Sequence, residues 1–150
     1  MTVTLRPATR DDADRLLAWR NDPDAVRFSS TGRAVAPEEH RAWIASRLAR
    51  EQPRLWVGEE DGRSVGQVRL DVDGGVGIVS IAVAPEHRGR GLAAELLQRL
   101  AQLTAADPEV HRLVAHVSAA NLASLRAFEH AGFRQSARDD SGWLELTRPV

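Results

Sequence analysis

The stretch Ile78-Val79-Ser80-Ile81-Ala82-Val83-Ala84-Pro85-Glu86-His87-Arg88-Gly89-Arg90-Gly91-Leu92-Ala93 constrains this chain more than any other. It reads as a buried strand, a tight glycine-rich turn and the start of a helix. A helix start presents backbone N–H groups with no intrahelical partner and the positive end of the helix dipole, and Gly89 and Gly91 let an anion approach that backbone closely. The segment is anion-binding architecture, and the expected guest is a phosphorylated cofactor.

Spacing narrows the choice. A dinucleotide fingerprint needs G-x-G-x-x-G with an acidic residue about 20 positions on, and a P-loop needs G-x-x-x-x-G-K-[ST]; neither is present. Arg88, Gly91 and Ala93 instead fit Arg/Gln-x-x-Gly-x-Gly/Ala, which resembles the motif of the GNAT N-acetyltransferases. The resemblance implies that acetyl-CoA is the co-substrate and that Arg88, Gly89, Arg90, Gly91, Leu92 and Ala93 surround its pyrophosphate. The plain alternative is an ordinary strand-to-helix turn with a solvated Arg.

A downstream block resembles the same family. The apolar strand Leu113-Val114-Ala115-His116-Val117 is followed by Asn121, Ser124, Phe128 and then Gly132-Phe133. Positions i, i+3 and i+7 of a helix share a face, so Asn121, Ser124 and Phe128 line up beside the cofactor in this reading. Each has a structural alternative. Asn121 suits a helix N-cap, Phe128 suits the core at its spacing from Leu122 and Leu125, and Gly132 suits a left-handed helix stop.

With 150 residues, 43% of them hydrophobic and 27% charged, the chain reads as one globular domain, residues 1 to 150. No apolar run spans a bilayer and Met1 to Arg10 has no signal-peptide pattern, so the expected location is the cytoplasm, with no membrane partner. There is no Cys, which excludes disulfides, thiolate nucleophiles and zinc–cysteine clusters, and no metal is expected. All 20 residues counted as Lys or Arg are Arg, so the chain has no lysine nucleophile. A net charge of −1 with scattered Arg forms no basic stripe, which argues against nucleic acid as a partner.

Local signals place strands at 2–6, 54–59, 64–71, 76–84, 111–117, 133–138 and 143–148, and helices at 11–20, 37–50, 91–105 and 121–131. Residues 21–36, with Asn21-Asp22-Pro23-Asp24 and Ser29-Ser30-Thr31-Gly32, read as an irregular or partly helical connection. Asp61-Gly62 and Asp73-Gly74-Gly75 read as hairpin turns. The order βααβββαβαββ matches the fold that the resemblance implies: mixed α/β, the sheet mostly antiparallel and splayed open between its fourth and fifth strands.

In the resembled mechanism a neutral amine attacks the thioester directly, while the protein positions both partners and stabilises the oxyanion. The resemblance assigns the backbone of Ile81, Ala82 and Val83 to the pantetheine arm, with the Val83 N–H as the candidate for the carbonyl oxygen; plain buried strand is the alternative. Many members place a general-acid Tyr where Phe128 stands, and this chain has no Tyr. Ser124 is the hydroxyl on the same face, and some relatives that acetylate ribosomal-protein N-termini use a Ser there.

A general base is equally hard to find. The fourth-strand Glu of several relatives falls near Gly77 or Ile78, leaving Asp71, Asp73, His116 and His130 as candidates. His116, inside an apolar strand, reads as a satisfied core histidine. Freeing a lysine-like amine at pH 7 costs about 4.6 kcal/mol, against about 1.4 for an α-amine near pKa 8, so a weakly basic amine needs a base least. A protein or peptide α-amine or a sugar amine is the expected acceptor.

The N-terminal half carries Trp19-Arg20-Asn21-Asp22-Pro23, Val26-Arg27 and Glu39-His40-Arg41-Ala42-Trp43. This resembles the branch of ribosomal-protein and nucleotide-linked amino-sugar acetyltransferases, and implies that Arg20, Arg27 and His40 meet an anionic acceptor. The alternative is that Trp19 and Trp43 are core anchors covered by Arg. Two rival functions stay open: a non-catalytic acyl-CoA-binding or sensing domain of the same fold, and a nucleotide-binding module of another fold. Either a monomer or a homodimer is compatible with the pattern, an exposed C-terminal strand edge being the surface for pairing.

Overall fold

The computed structural model describes residues 2–150. Local chemistry sets most of its elements. Two-residue turns with both central residues at positive φ, Asp61-Gly62 and Gly74-Gly75, close the hairpins that join the strands β2 (Leu55–Glu60), β3 (Arg63–Asp73) and β4 (Val76–Val83). Before them come β1 (Val3–Pro7), α1 (Ala13–Arg20), α2 (Pro23–Arg27) and α3 (Pro37–Leu48). After them come α4 (Leu92–Ala105), β5 (Arg112–Ser118), α5 (Leu122–His130), β6 (Arg134–Arg138) and β7 (Trp143–Pro149). The order gains one short helix over the sequence expectation. Asp22 starts it, its carboxylate accepting from the Asp24 and Ala25 N–H groups at 3.2 Å, with Pro23 at the first helical position.

The strands form one seven-stranded sheet in the order β1-β2-β3-β4-β5-β7-β6. All neighbours are antiparallel except β4 and β5, which are parallel and pair only at Val76↔Arg112, Gly77↔Leu113 and Ile78↔Val114. Beyond Ile78 the two strands part, which is the expected splay. The chain's last strand, β7, is interior; the exposed edge is β6, whose five residues are all exposed and whose pairing to β7 is bulged between Gln135 and Ala137. The exposed C-terminal edge is thus β6 rather than the final strand, and its bulge with Arg134 and Arg138 at its ends makes it a poor template for strand pairing.

Alternation divides the sheet into two faces. Val68, Leu70, Val79, Leu113, Ala115, Val117 and Leu146 join Leu92, Leu96, Leu97 and Leu100 of α4 and Phe128 of α5 in the larger core. Leu55 and Val57 face the other way and pack with Leu16 and Trp19 of α1 and Ile44 of α3. Gly58 and Gly66 seat α4 on the sheet: a Cβ on Gly58 would come within 2.3 Å of Leu96 Cδ2, and one on Gly66 within 2.7 Å of the Ala82 carbonyl oxygen. Arg47, 2% exposed, anchors the end of α3 by donating to the Pro53 carbonyl at 2.6 Å, to the Leu70 carbonyl at 2.7 Å and to Asp71.

Candidate functional site

The site forms where β4 leaves β5. Ala84 N–H donates to the Val65 carbonyl at 2.8 Å, so alternation along β4 turns the backbone groups of Ala82 and Ser80 toward β3 as well. The N–H and C=O of Ile81 and Val83 then point to the opposite edge, into the gap that β5 has left. Their side chains pack against the larger core, which frees the backbone for a ligand. The Val83 N–H opens into this gap, and the Ile81 N–H lies deeper in it.

At its open end β4 runs through the 3₁₀ turn Pro85–His87 into Gly89 and Gly91, at φ +79° and +75°. Leu92, buried, starts α4, and Gly91 occupies the N-cap position. Among the described residues, a Cβ on either glycine would meet nothing within 4 Å, which leaves the space over the turn clear of them. Backbone donors around a concave, glycine-lined helix start fit a pyrophosphate, and the free edge of β4 fits an extended amide-bearing arm.

The two arginines of the turn are engaged elsewhere. Arg88 donates to Asp22 at 2.8 Å and lies 3.6 Å from Asp24, which ties the phosphate turn to the start of α2 and holds the Asp22 carboxyl below its ordinary range. Arg90 donates to Glu60 at 2.8 Å. The backbone of residues 89–93, rather than these guanidiniums, is what the turn presents.

Across the gap, Asn121 caps α5, its Oδ1 accepting from Ser124 N–H at 3.2 Å. Ser124 sits half-buried on the first turn, with no hydrogen bond to its hydroxyl among the described residues. Phe128 is 2% exposed and meets Phe133 edge-to-face at 4.9 Å, so its ring serves the core, which sets aside the expected contact with the cofactor.

Arg20, Arg27 and His40 do not converge. Arg27 lies over the Phe28 ring at 4.4 Å, exposed beside Asp24. His40 is 6% exposed on α3 against Trp43, and burial lowers its pKa, so it is a neutral core histidine rather than an anion ligand. Of the three, Arg20 alone keeps an unmet donor: Nη2 reaches Thr31 Oγ1 at 3.4 Å, while Nη1 is buried without a partner among the described residues. Trp19 is a core anchor, as its plain reading held.

The base candidates also separate. Asp71 is an ion-pair hub for Arg47, Arg50 and Arg69, whose charges hold its carboxyl down against the cost of its burial, so it is a poor proton acceptor. His116 is not in the core: its side chain is half exposed, with Nε2 3.6 Å from Glu145 Oε2. The signal was present in the strand's period of two, since Leu113, Ala115 and Val117 point in and His116 points out. Glu145 escaped notice because only the β5–β7 register, His116↔Glu145, brings it there.

Comparison with known proteins agrees with this geometry. Residues 2–134 match the model of the acetyltransferase (GNAT) domain. The aminoglycoside N(6')-acetyltransferase type 1 of Klebsiella pneumoniae is 27% identical over 150 residues, covering 89% of this chain and 75% of that protein. The L-amino acid N-acyltransferase of Escherichia coli K12 is 33% identical over 125 residues, covering 75% and 72%. The spermidine N-acetyltransferase of Vibrio cholerae, solved with CoA and spermine, superposes with a TM-score of 0.87 at 18% identity, over 99% of this chain and 95% of that one. These names do not carry the finer assignment to the ribosomal-protein or amino-sugar branch. A family match over most of the chain, with the splay, the open β4 edge and the glycine turn in place, makes this protein a member of the GNAT acetyltransferases, an acetyl-CoA-dependent N-acetyltransferase.

Proposed function

We propose that the enzyme acetylates a small primary amine of low basicity: the α-amine of an amino acid or peptide, or an amine on a sugar. The observation that carries this reading is the open edge of β4 running into the glycine turn, with an unmet donor, Arg20 Nη1, on the adjoining α1. Phosphates held at residues 89–93 send the pantetheine arm back along Val83 and Ile81 toward the apex of the splay. The thioester then sits beside N–H groups fixed in the strand, whose donors are in place before charge develops on the carbonyl oxygen. The amine attacks the carbonyl carbon, the tetrahedral oxyanion is held by a gap-facing N–H, and collapse expels the thiolate.

Ser124, on the far wall of the gap with a free hydroxyl, is the protein's candidate to donate to the departing sulfur. A thiolate near pKa 8.5 leaves with little help, so this contribution is modest. Arg20 suits an anionic group on the acceptor, such as a carboxylate, because a guanidinium N–H left unmet indoors gains most from a charged acceptor. Relatives named for L-amino acids and for aminoglycosides support an acceptor in one of these two classes.

The test is thiol release from acetyl-CoA against amino acids, α-amino peptides, amino sugars with their nucleotide forms, and polyamines, with thermal stabilisation by acetyl-CoA read in parallel. Turnover on α-amines or sugar amines is expected. A preference for lysine ε-amines or polyamines over both classes would reject the proposal.

A further inference from the structure

We propose that His116, oriented by Glu145, is the general base that accepts the proton of the acceptor amine. The inference rests on the acetyltransferase reading above. Parallel pairing of Ile78 with Val114 places Ser80 and His116 level with each other, two residues on, where the strands have begun to part. Both side chains lie on the face opposite α4, because their neighbours Val79, Ile81, Ala115 and Val117 pack toward α4. The phosphate turn at the start of α4 lies on the other face, so His116 stands on the side of the gap left to the acceptor, one residue before Ile81 by register. Its side chain is half exposed there, within reach of an incoming amine.

The partners fit the role. Nε2 faces Glu145 Oε2 at 3.6 Å, and Glu145 is itself held by Ser136 Oγ, which donates to Oε1 at 2.8 Å. A carboxylate facing one ring nitrogen favours the tautomer with its proton there and leaves Nδ1 with its lone pair. Glu145 is the charged group paired with the ring among the described residues. Ser80 across the gap and Ser118 on the same strand are uncharged neighbours by register; the further charges on that face are Arg69 of β3, opposite Ser80 and paired with Asp71, and Arg134 of β6, opposite Thr147. Asp71 is occupied by three arginines and His40 is buried in α3.

The step balances without another reagent. An ammonium proton passes to His116, and the freed nitrogen lone pair forms the N–C bond at the thioester carbonyl. As the C–S bond breaks with its electron pair on sulfur, the second N–H proton leaves nitrogen and ends on that sulfur. His116 then releases the first proton to water.

Wild-type turnover is measured first, so failure of the acetyltransferase reading shows in the wild type and failure of the His116 assignment shows only in the variants. His116→Gln should keep acetyl-CoA stabilisation and its KM for acetyl-CoA while kcat/KM for the acceptor falls by on the order of 100-fold near neutral pH. The deficit should narrow as pH rises toward the acceptor's own pKa, because solvent then supplies the neutral amine. Added imidazole should restore part of the activity of His116→Ala, and Glu145→Gln should show a smaller loss of the same pH dependence. Wild-type kcat/KM in His116→Gln, or a deficit equal at every pH, would overturn the inference.

Discussion

Asp12 shows how much a single side chain carries in this protein. Its carboxylate, 1% exposed, accepts from Arg6 at 2.7 and 2.9 Å and from the Thr9 N–H at 2.8 Å, and these donors hold its pKa down to about 2. The folded value lies below the unfolded one, so the stabilisation is present above about pH 4 and is lost as pH falls toward about 2. From 3.8 to about 2, at ~1.36 kcal/mol per unit, Asp12→Asn should cost about 2 kcal/mol at pH 7 and little near pH 2, as read by urea denaturation. Gly91 carries the opposite kind of cost. An alanine there must adopt φ +75°, at roughly 1–2 kcal/mol, and its methyl enters the clear space over the phosphate turn. Gly91→Ala should weaken acetyl-CoA binding by calorimetry far more than it lowers the melting temperature.

Elements are where neighbours decide what a residue can do. His40 and Trp43 share α3, and burial keeps the imidazole neutral. The unfolded chain takes up a proton below the ordinary histidine pKa while the folded chain resists it, so stability should fall as pH drops through about 6.5. His40→Phe should flatten that part of the pH–stability curve. The seat of α4 makes a sharper distinction between two glycines. At Gly58 the obstacle is the far end of Leu96, which can swing; at Gly66 it is also the Ala82 carbonyl, which is backbone of β4. Gly66→Ala should destabilise by about 1–3 kcal/mol and weaken acetyl-CoA binding by shifting the β4 edge, whereas Gly58→Ala should cost less and leave binding intact.

At the scale of the whole molecule, the two parts of the sheet are joined across β4 and β5 by three residue pairs, and the ligand gap opens directly beyond them. Acetyl-CoA in that gap bridges both parts. Hydrogen exchange should therefore slow at the Ile81 and Val83 amides on binding, while Ala82, already turned to β3, changes little. The reverse pattern would show that the register across the gap is wrong. Ligand at 100 times its Kd should add about 2.7 kcal/mol to stability.

The sequence by itself determined the strand, turn and helix of the phosphate site, the two positive-φ hairpins and the element order around them, because each depends on glycine conformation, capping or hydrophobic period within a short window. It also carried both roles of Asn121, one of which is the cap observed. Only the tertiary structure decided which strand edge is free, that Arg88 and Arg90 meet Asp22 and Glu60, that His40 is buried, and that His116 faces out toward Glu145. These are contacts between residues 29 to 66 positions apart, or the burial of one face by a distant element. Their energies come from the register of a sheet whose neighbours are not neighbours in the chain, which local propensity does not encode.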